Sequence, residues 1–238
     1  MLTRPAFIPN DIAAAPLDFR WSENISLGIL EPPPTRLARL ASRYAPLHPL
    51  AAFTMLLGTF EWVTWRFEHH ADLDDMRRLA QAGYAALIDL RYARLDEFEE
   101  PPDSDASPVQ GPLATAACLL SEGFDFLASD DDRVKQSAFC MALLARHVTA
   151  NDTTLEAWLA AKLKAFAARF PHVKDAVGPM LSREALELGG DLDEASMRAG
   201  QARLRDGLDS ASNPYLATAA AMKREGCGEA PYPVDPSA

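Results

Sequence analysis

Residues 47–70 read LHPLAAFTMLLGTFEWVTWRFEHH, and this run decides the fold. Leu47, Leu50, Phe53, Leu56, Leu57, Phe60, Trp62, Val63, Trp65 and Phe67 crowd into it, and no proline interrupts it after Pro49. Thr54, Gly58, Glu61, Trp65 and Glu68 follow one another in steps of four and three. They trace one narrow stripe that is not uniformly apolar. A helix apolar over most of its circumference is surrounded by other helices. Its charges speak against a membrane span, which takes about 20 predominantly apolar residues. The reading is an all-α protein, an irregular bundle of about seven or eight helices around this central one.

Working outward toward the C-terminus, Asp72 and Asp75 open a second helix in the manner of a capping box. Leu73, Met76, Ala80, Gly83, Leu87 and Leu90 give that helix one buried face, and the short turn between the two predicts an antiparallel hairpin. Between Asp96 and Gly111, acids mingle with Pro101, Pro102 and Pro108, which predicts a solvated loop. Helical periodicity returns over Pro112–Leu127. A helix capped by Ser129 with Asp132 follows, carrying Val134, Ala138, Met141, Ala145 and Val148 inward. Another, capped by Thr153 with Glu156, carries Leu155, Trp158, Leu159, Leu163 and Phe166 and ends before Pro171. Shorter helices are expected at Ser182–Leu188, stopped by Gly189 and Gly190, from Asp191 or Asp193 to Leu208, and near Tyr215–Lys223.

Toward the N-terminus, Thr35–Tyr44 reads as a short helix with Leu37, Leu40 and Ala41 on one side. Before it, Pro5, Pro9, Pro16 and Pro32–Pro34 hold the backbone to extended and turn conformations. This stretch is read as a non-helical arm with a short extended piece at Ile25–Leu30. Its Phe7, Ile8, Leu17, Phe19 and Trp21 are too apolar for a free tail, so the arm is expected to lie across the body. Docking on another chain, as a homo-oligomer, is the alternative. The organisation expected is an arm packed on the body over 1–33, a helical core over 34–188, and a looser helical extension with a poorly ordered tail over 189–238.

Of the 238 residues 48% are hydrophobic and 24% charged, as in folded globular proteins. A net charge of −11 argues against nucleic acid, whose phosphates require clustered Lys and Arg, and favours encounter with a basic partner. Cys118, Cys140 and Cys227 form no C-x-x-C pair and are read as isolated, two of them as core residues. With no secretory signal in the first residues, a cytoplasmic location is expected.

Glu61, Glu68, His69 and His70 hold the residue types of a metal or general-acid site, together with Asp72, Asp74 and Asp75. The spacings of known metal helices are missing, and the competing reading pairs Glu61 and Glu68 with arginines such as Arg91 and Arg94. His147 lies seven positions after Cys140, but a buried thiol makes a poor nucleophile. Trp62, Trp65, Phe67, Tyr84 and Tyr92 read as core aromatics, with Trp65 the one expected at a surface groove. No glycine-rich phosphate loop is present, and no catalytic residue, metal or cofactor is assigned.

The leading expectation is a non-catalytic acidic helical protein that binds a basic or mixed-charge partner protein. Toxin-neutralising immunity proteins and adaptors of the bacterial cytosol are the analogues in architecture and charge. Its contact residues are expected to be Glu97, Glu99, Glu100, Asp103 and Asp105, with Glu61, Trp65 and Glu68 as a second set. The rival expectations are an enzyme built on Glu61, Glu68, His69 and His70, and a structural subunit of a homo-oligomeric assembly.

Overall fold

A computed structural model describes residues 2–95, 107–149, 152–173, 178–187, 189 and 192–226, without the side chains of residues 36, 37 and 39–41. Among the described residues nine α-helices form the architecture and no strand occurs. They are α1 (Glu23–Leu30), α2 (Pro34–Tyr44), α3 (Pro49–Arg66), α4 (Asp74–Ala86), α5 (Gln110–Ala128), α6 (Val134–Val148), α7 (Thr153–Arg169), α8 (Glu194–Asp206) and α9 (Ala219–Arg224). Single 3-10 turns sit at Ile12–Ala14, Leu90–Tyr92 and Arg183–Leu186, the last where a short helix was expected. No helix among the described residues is long and apolar enough to cross a membrane.

Helix α3 is the axis of the molecule, and every residue from Ala51 to Arg66 is buried. Helices α4, α5, α6 and α7 all pack against it, which is what its apolar circumference demands. Two glycines set the closest approaches. A Cβ at Gly83 of α4 would lie 2.3 Å from Leu57 Cδ2, and one at Gly123 of α5 would lie 2.4 Å from Leu56 Cδ2. The axis begins cleanly, with Pro49 at the first helical turn and His48 as N-cap, its Nδ1 accepting from the Leu50 N–H at 3.1 Å.

The caps differ from the pattern expected. At α7 the capping oxygen comes from Asp152, which accepts from Thr154 N (2.7 Å) and Leu155 N (3.0 Å). At α6 no capping box forms. The chain turns through Asp130 in the left-handed region (φ 54°), and Asp131 takes the Arg133 N–H instead. Asp72 accepts from Asp74 N at 2.9 Å, while Asp75 pairs with Arg78 rather than reaching back. At α8 the cap is one of the two residues expected, Asp193, which accepts from Ala195 N and Ser196 N.

The first thirty residues are less irregular than expected. Where an extended piece was predicted, Ile25–Leu30 belongs to α1, which buries Ser26 and Ile29 against α5 and α6. Ser26 and Thr115 join their hydroxyls at 3.0 Å. Four-residue spacing from Ile25 to Ile29 suits a helix as well as a strand over so short a run, and packing decides between them. Phe7 stacks on Trp158 (5.0 Å between centroids, 12° between planes), and Ile8, Ile12 and Ala13 are buried. The tail from residue 227 and most of the acidic loop (96–106) lie outside the described residues.

Candidate functional site

Among the described residues Glu61 is the one buried carboxylate, exposed by 1%. It sits mid-helix on α3, where the backbone has no spare N–H to offer it, so side chains must supply its donors. Three bonds reach it. Tyr84 of α4 donates its O–H to Oε2 at 2.7 Å. Arg183, on the 3-10 turn after α7, donates Nε to Oε2 at 3.0 Å and Nη2 to Oε1. Burial and then the Glu61 charge push the Tyr84 hydroxyl well above its ordinary value. Burial opposes the charge on Arg183, but Glu61 more than offsets it and holds the guanidinium above its usual range. Arg183 also donates to the Thr3 carbonyl at 2.6 Å. A pocket of about 240 Å³ opens beside this cluster, lined by Tyr84, Arg183, Ser182, Gln201 and Arg203 among others.

The four residues considered for a metal or general-acid site do not converge. Glu61 faces the core, Glu68 is tied to Arg4 at 2.8 Å, and His69 and His70 are exposed beyond the end of α3. No group of three or more His, Cys, Asp or Glu among the described residues could hold a metal ion. The arginine partners also differ from those expected: Arg91 pairs with Asp89 and Arg94 with Glu225. Trp65 does not line a surface groove. It is 4% exposed and lies beneath the Arg77 guanidinium, 5.4 Å from its ring centroid. Of the second contact set, Glu68 alone reaches solvent; Glu61 and Trp65 are core residues because α3 is enclosed on all sides. Glu97, Glu99, Glu100, Asp103 and Asp105 lie outside the described residues.

His147 and Cys140 form no pair. His147 Nε2 bonds the Arg20 carbonyl at 2.7 Å and packs edge-on to Phe19, so it ties the N-terminal arm to α6. Burial pushes the Cys140 thiol up to about 12, and the side chain turns toward the Leu30 carbonyl.

A second polar pocket, of about 650 Å³, lies where α3 begins and α7 ends. His48 and His172 face each other across it, 6.4 Å between ring centroids, with Asp130 and Asp132 on its wall. The Lys135 Nζ is 2.8 Å from His172 Nδ1 and 2.9 Å from Asp132 Oδ1. Burial first, then His172 and Lys135, lower the His48 pKa below its ordinary value.

Two buried cations act on carbonyls rather than carboxylates. Arg66 donates to Val148 O (3.0 Å), Ile12 O (3.2 Å) and Pro16 O (2.6 Å), and Lys162 donates to Ala185 O (2.8 Å) and Glu187 O. Burial lowers the pKa of both. Sequence reasoning missed Arg66, Lys162, Arg183, His48 and His172. A basic residue inside an apolar helical stripe was the available signal for Arg66 and Lys162, and a histidine ahead of Pro49 was the signal for His48. Nothing local marks Arg183 or His172. Compared with protein-family models, curated proteins and solved structures, the chain matches none.

Proposed function

We propose that this chain is a non-catalytic helical protein that binds a partner protein through its acidic exterior. The partner carries a basic or mixed-charge surface, as the targets of toxin-neutralising immunity proteins and cytosolic adaptors of bacteria do. The observation that supports the reading is how charge divides between inside and outside. Among the described residues the buried charged ones are one carboxylate, Glu61, and two cations, Arg66 and Lys162. The chain as a whole carries a net charge of −11, and Asp96, Glu97, Glu99, Glu100, Asp103 and Asp105 supply six of its negative charges. The interior charges each make hydrogen bonds that hold segments together. An acidic exterior speeds encounter with a basic surface and sets which partners are excluded.

The test is capture of the partner from source cells at low salt, followed by a salt step. The association rate measured with the captured partner is expected to fall at least about tenfold between low and high ionic strength. Replacing Glu97, Glu99, Glu100, Asp103 and Asp105 together by Lys is expected to abolish the low-salt capture. Binding that ignores both salt and these substitutions would overturn the reading.

A further inference from the structure

The start of α3 and the end of α7 are joined by a short antiparallel tie. The His48 N–H donates to the Phe170 carbonyl (2.9 Å) and the His172 N–H to the Pro46 carbonyl (2.7 Å), around an isolated bridge between Leu47 and Pro171. His48 supplies one of the two bonds of this tie through its backbone and also caps the central helix, because its Nδ1 accepts the Leu50 N–H. An imidazole fills that role only while Nδ1 carries no proton, which places the ring hydrogen on Nε2. The charged and titratable groups facing the ring, among the described residues, are His172 after α7, Lys135 of α6, and Asp130 and Asp132 of the α5–α6 turn.

We propose that His48 is a proton-operated cap: the neutral ring accepts the Leu50 N–H and closes the start of α3, and the protonated ring gives that bond up. Protonation turns the accepting Nδ1 into a donor aimed at the Leu50 N–H. It also sets a positive charge at the positive end of the α3 dipole and close to the Lys135 ammonium. Asp130 and Asp132 pull toward the charged form, but burial, His172 and Lys135 outweigh them. The sign follows. A histidine depressed in the folded state binds its proton more readily when unfolded. Its stabilisation is complete above the unfolded value of about 6.5 and is lost as pH falls through the folded one.

The experiment is an NMR titration of the His48 ring and the Leu50 amide in the full chain, with H48N serving for assignment. It is joined to thermal unfolding of wild type and H48N at pH 8 and pH 5.5. Asparagine accepts at a helix cap and does not titrate in this range. The His48 ring is expected to titrate below about 6.5, with the Leu50 amide resonance moving in step. Wild type is expected to lose about 2–4 °C more in Tm than H48N on acidification. A His48 ring that titrates at or above the ordinary value, a Leu50 amide that does not follow it, or equal acid losses in the two proteins would each overturn the proposal. Should H48N fail to fold, the wild-type titration decides alone, with the ring assigned through its contact to the Leu50 amide.

Discussion

Glu61 receives donors from two places far apart in the chain, Tyr84 on the next helix and Arg183 at a separation of 122 residues. Removing Arg183 strands a carboxylate whose side chain is 2% exposed, whereas removing Glu61 leaves a guanidinium that is 21% exposed at the pocket. Arg183→Met is expected to cost about 3–5 kcal/mol, the usual penalty for breaking a buried pair, and Glu61→Leu less. The double replacement Glu61→Leu with Arg183→Met removes both charges together and is expected to cost much less than the two singles added. Urea unfolding of the four proteins gives the coupling. Singles that cost under about 1 kcal/mol, or that add, would show that the pair is no tie. That a carboxylate inside an apolar helix needs a cationic partner is legible in the sequence. Which cation supplies it is not. The antiparallel hairpin points to Arg91 and Arg94, yet both are taken by nearer acids, Asp89 and Glu225. Helical periodicity reports the face a residue occupies, and has no access to a partner brought in by a distant turn.

Helices α4 and α5 approach α3 through Gly83 and Gly123, and the Gly83 contact is the closer of the two. Gly83→Ala puts a methyl 2.3 Å from Leu57 Cδ2, and Leu57 is itself fully buried. Alanine gains about 1 kcal/mol of helix propensity over glycine, while overpacking a closed core costs about 1–3 kcal/mol. The net expectation is a loss of stability. Adding Leu57→Ala to Gly83→Ala makes room for the methyl, so the double variant is expected to cost less than the sum of the two singles in denaturant unfolding. A stabilised Gly83→Ala would mean that Leu57 moves aside freely, and the close approach would lose its explanation. At this scale the sequence is most informative where amphipathic runs are long. Helices α3, α5, α6 and α7 appear within a few residues of their expected bounds because a long periodic pattern leaves one solution. Short elements escape it. Eight residues of α1 carry too few periods to separate helix from strand, and Asp152 took the cap expected of Thr153 because either residue type serves.

Across the whole molecule the N-terminal segment is held by a series of helix side chains that donate to its carbonyls. Arg77 takes Leu2 O, Arg183 takes Thr3 O, Arg66 takes Ile12 O and Pro16 O, and His147 bonds Arg20 O. A proline-rich segment lacks the N–H groups and the regular ladder to satisfy itself, so its carbonyls must be met from outside. Arg66 matters most in this series, since one guanidinium joins the 3-10 turn, the end of α3 and the Val148 carbonyl at the end of α6. Arg66→Met keeps the apolar stem and removes every donor, leaving the buried Ile12 and Val148 carbonyls without it at about 1–3 kcal/mol each at most, and the Pro16 carbonyl, at an exposed residue, at less. Because those carbonyls lie on the segment and at a helix end, the loss is expected to be local before it is global. In hydrogen exchange, the Ala14 amide, bonded to Asp11 O at 3.0 Å, is expected to lose about 10–100-fold of its protection, while amides in the middle of α3 lose far less. Equal losses at Ala14 and in α3 would make the segment part of the cooperative core rather than a strap over it. No loss at either would mean that Phe7 on Trp158 and the buried Ile8 hold it without help from Arg66.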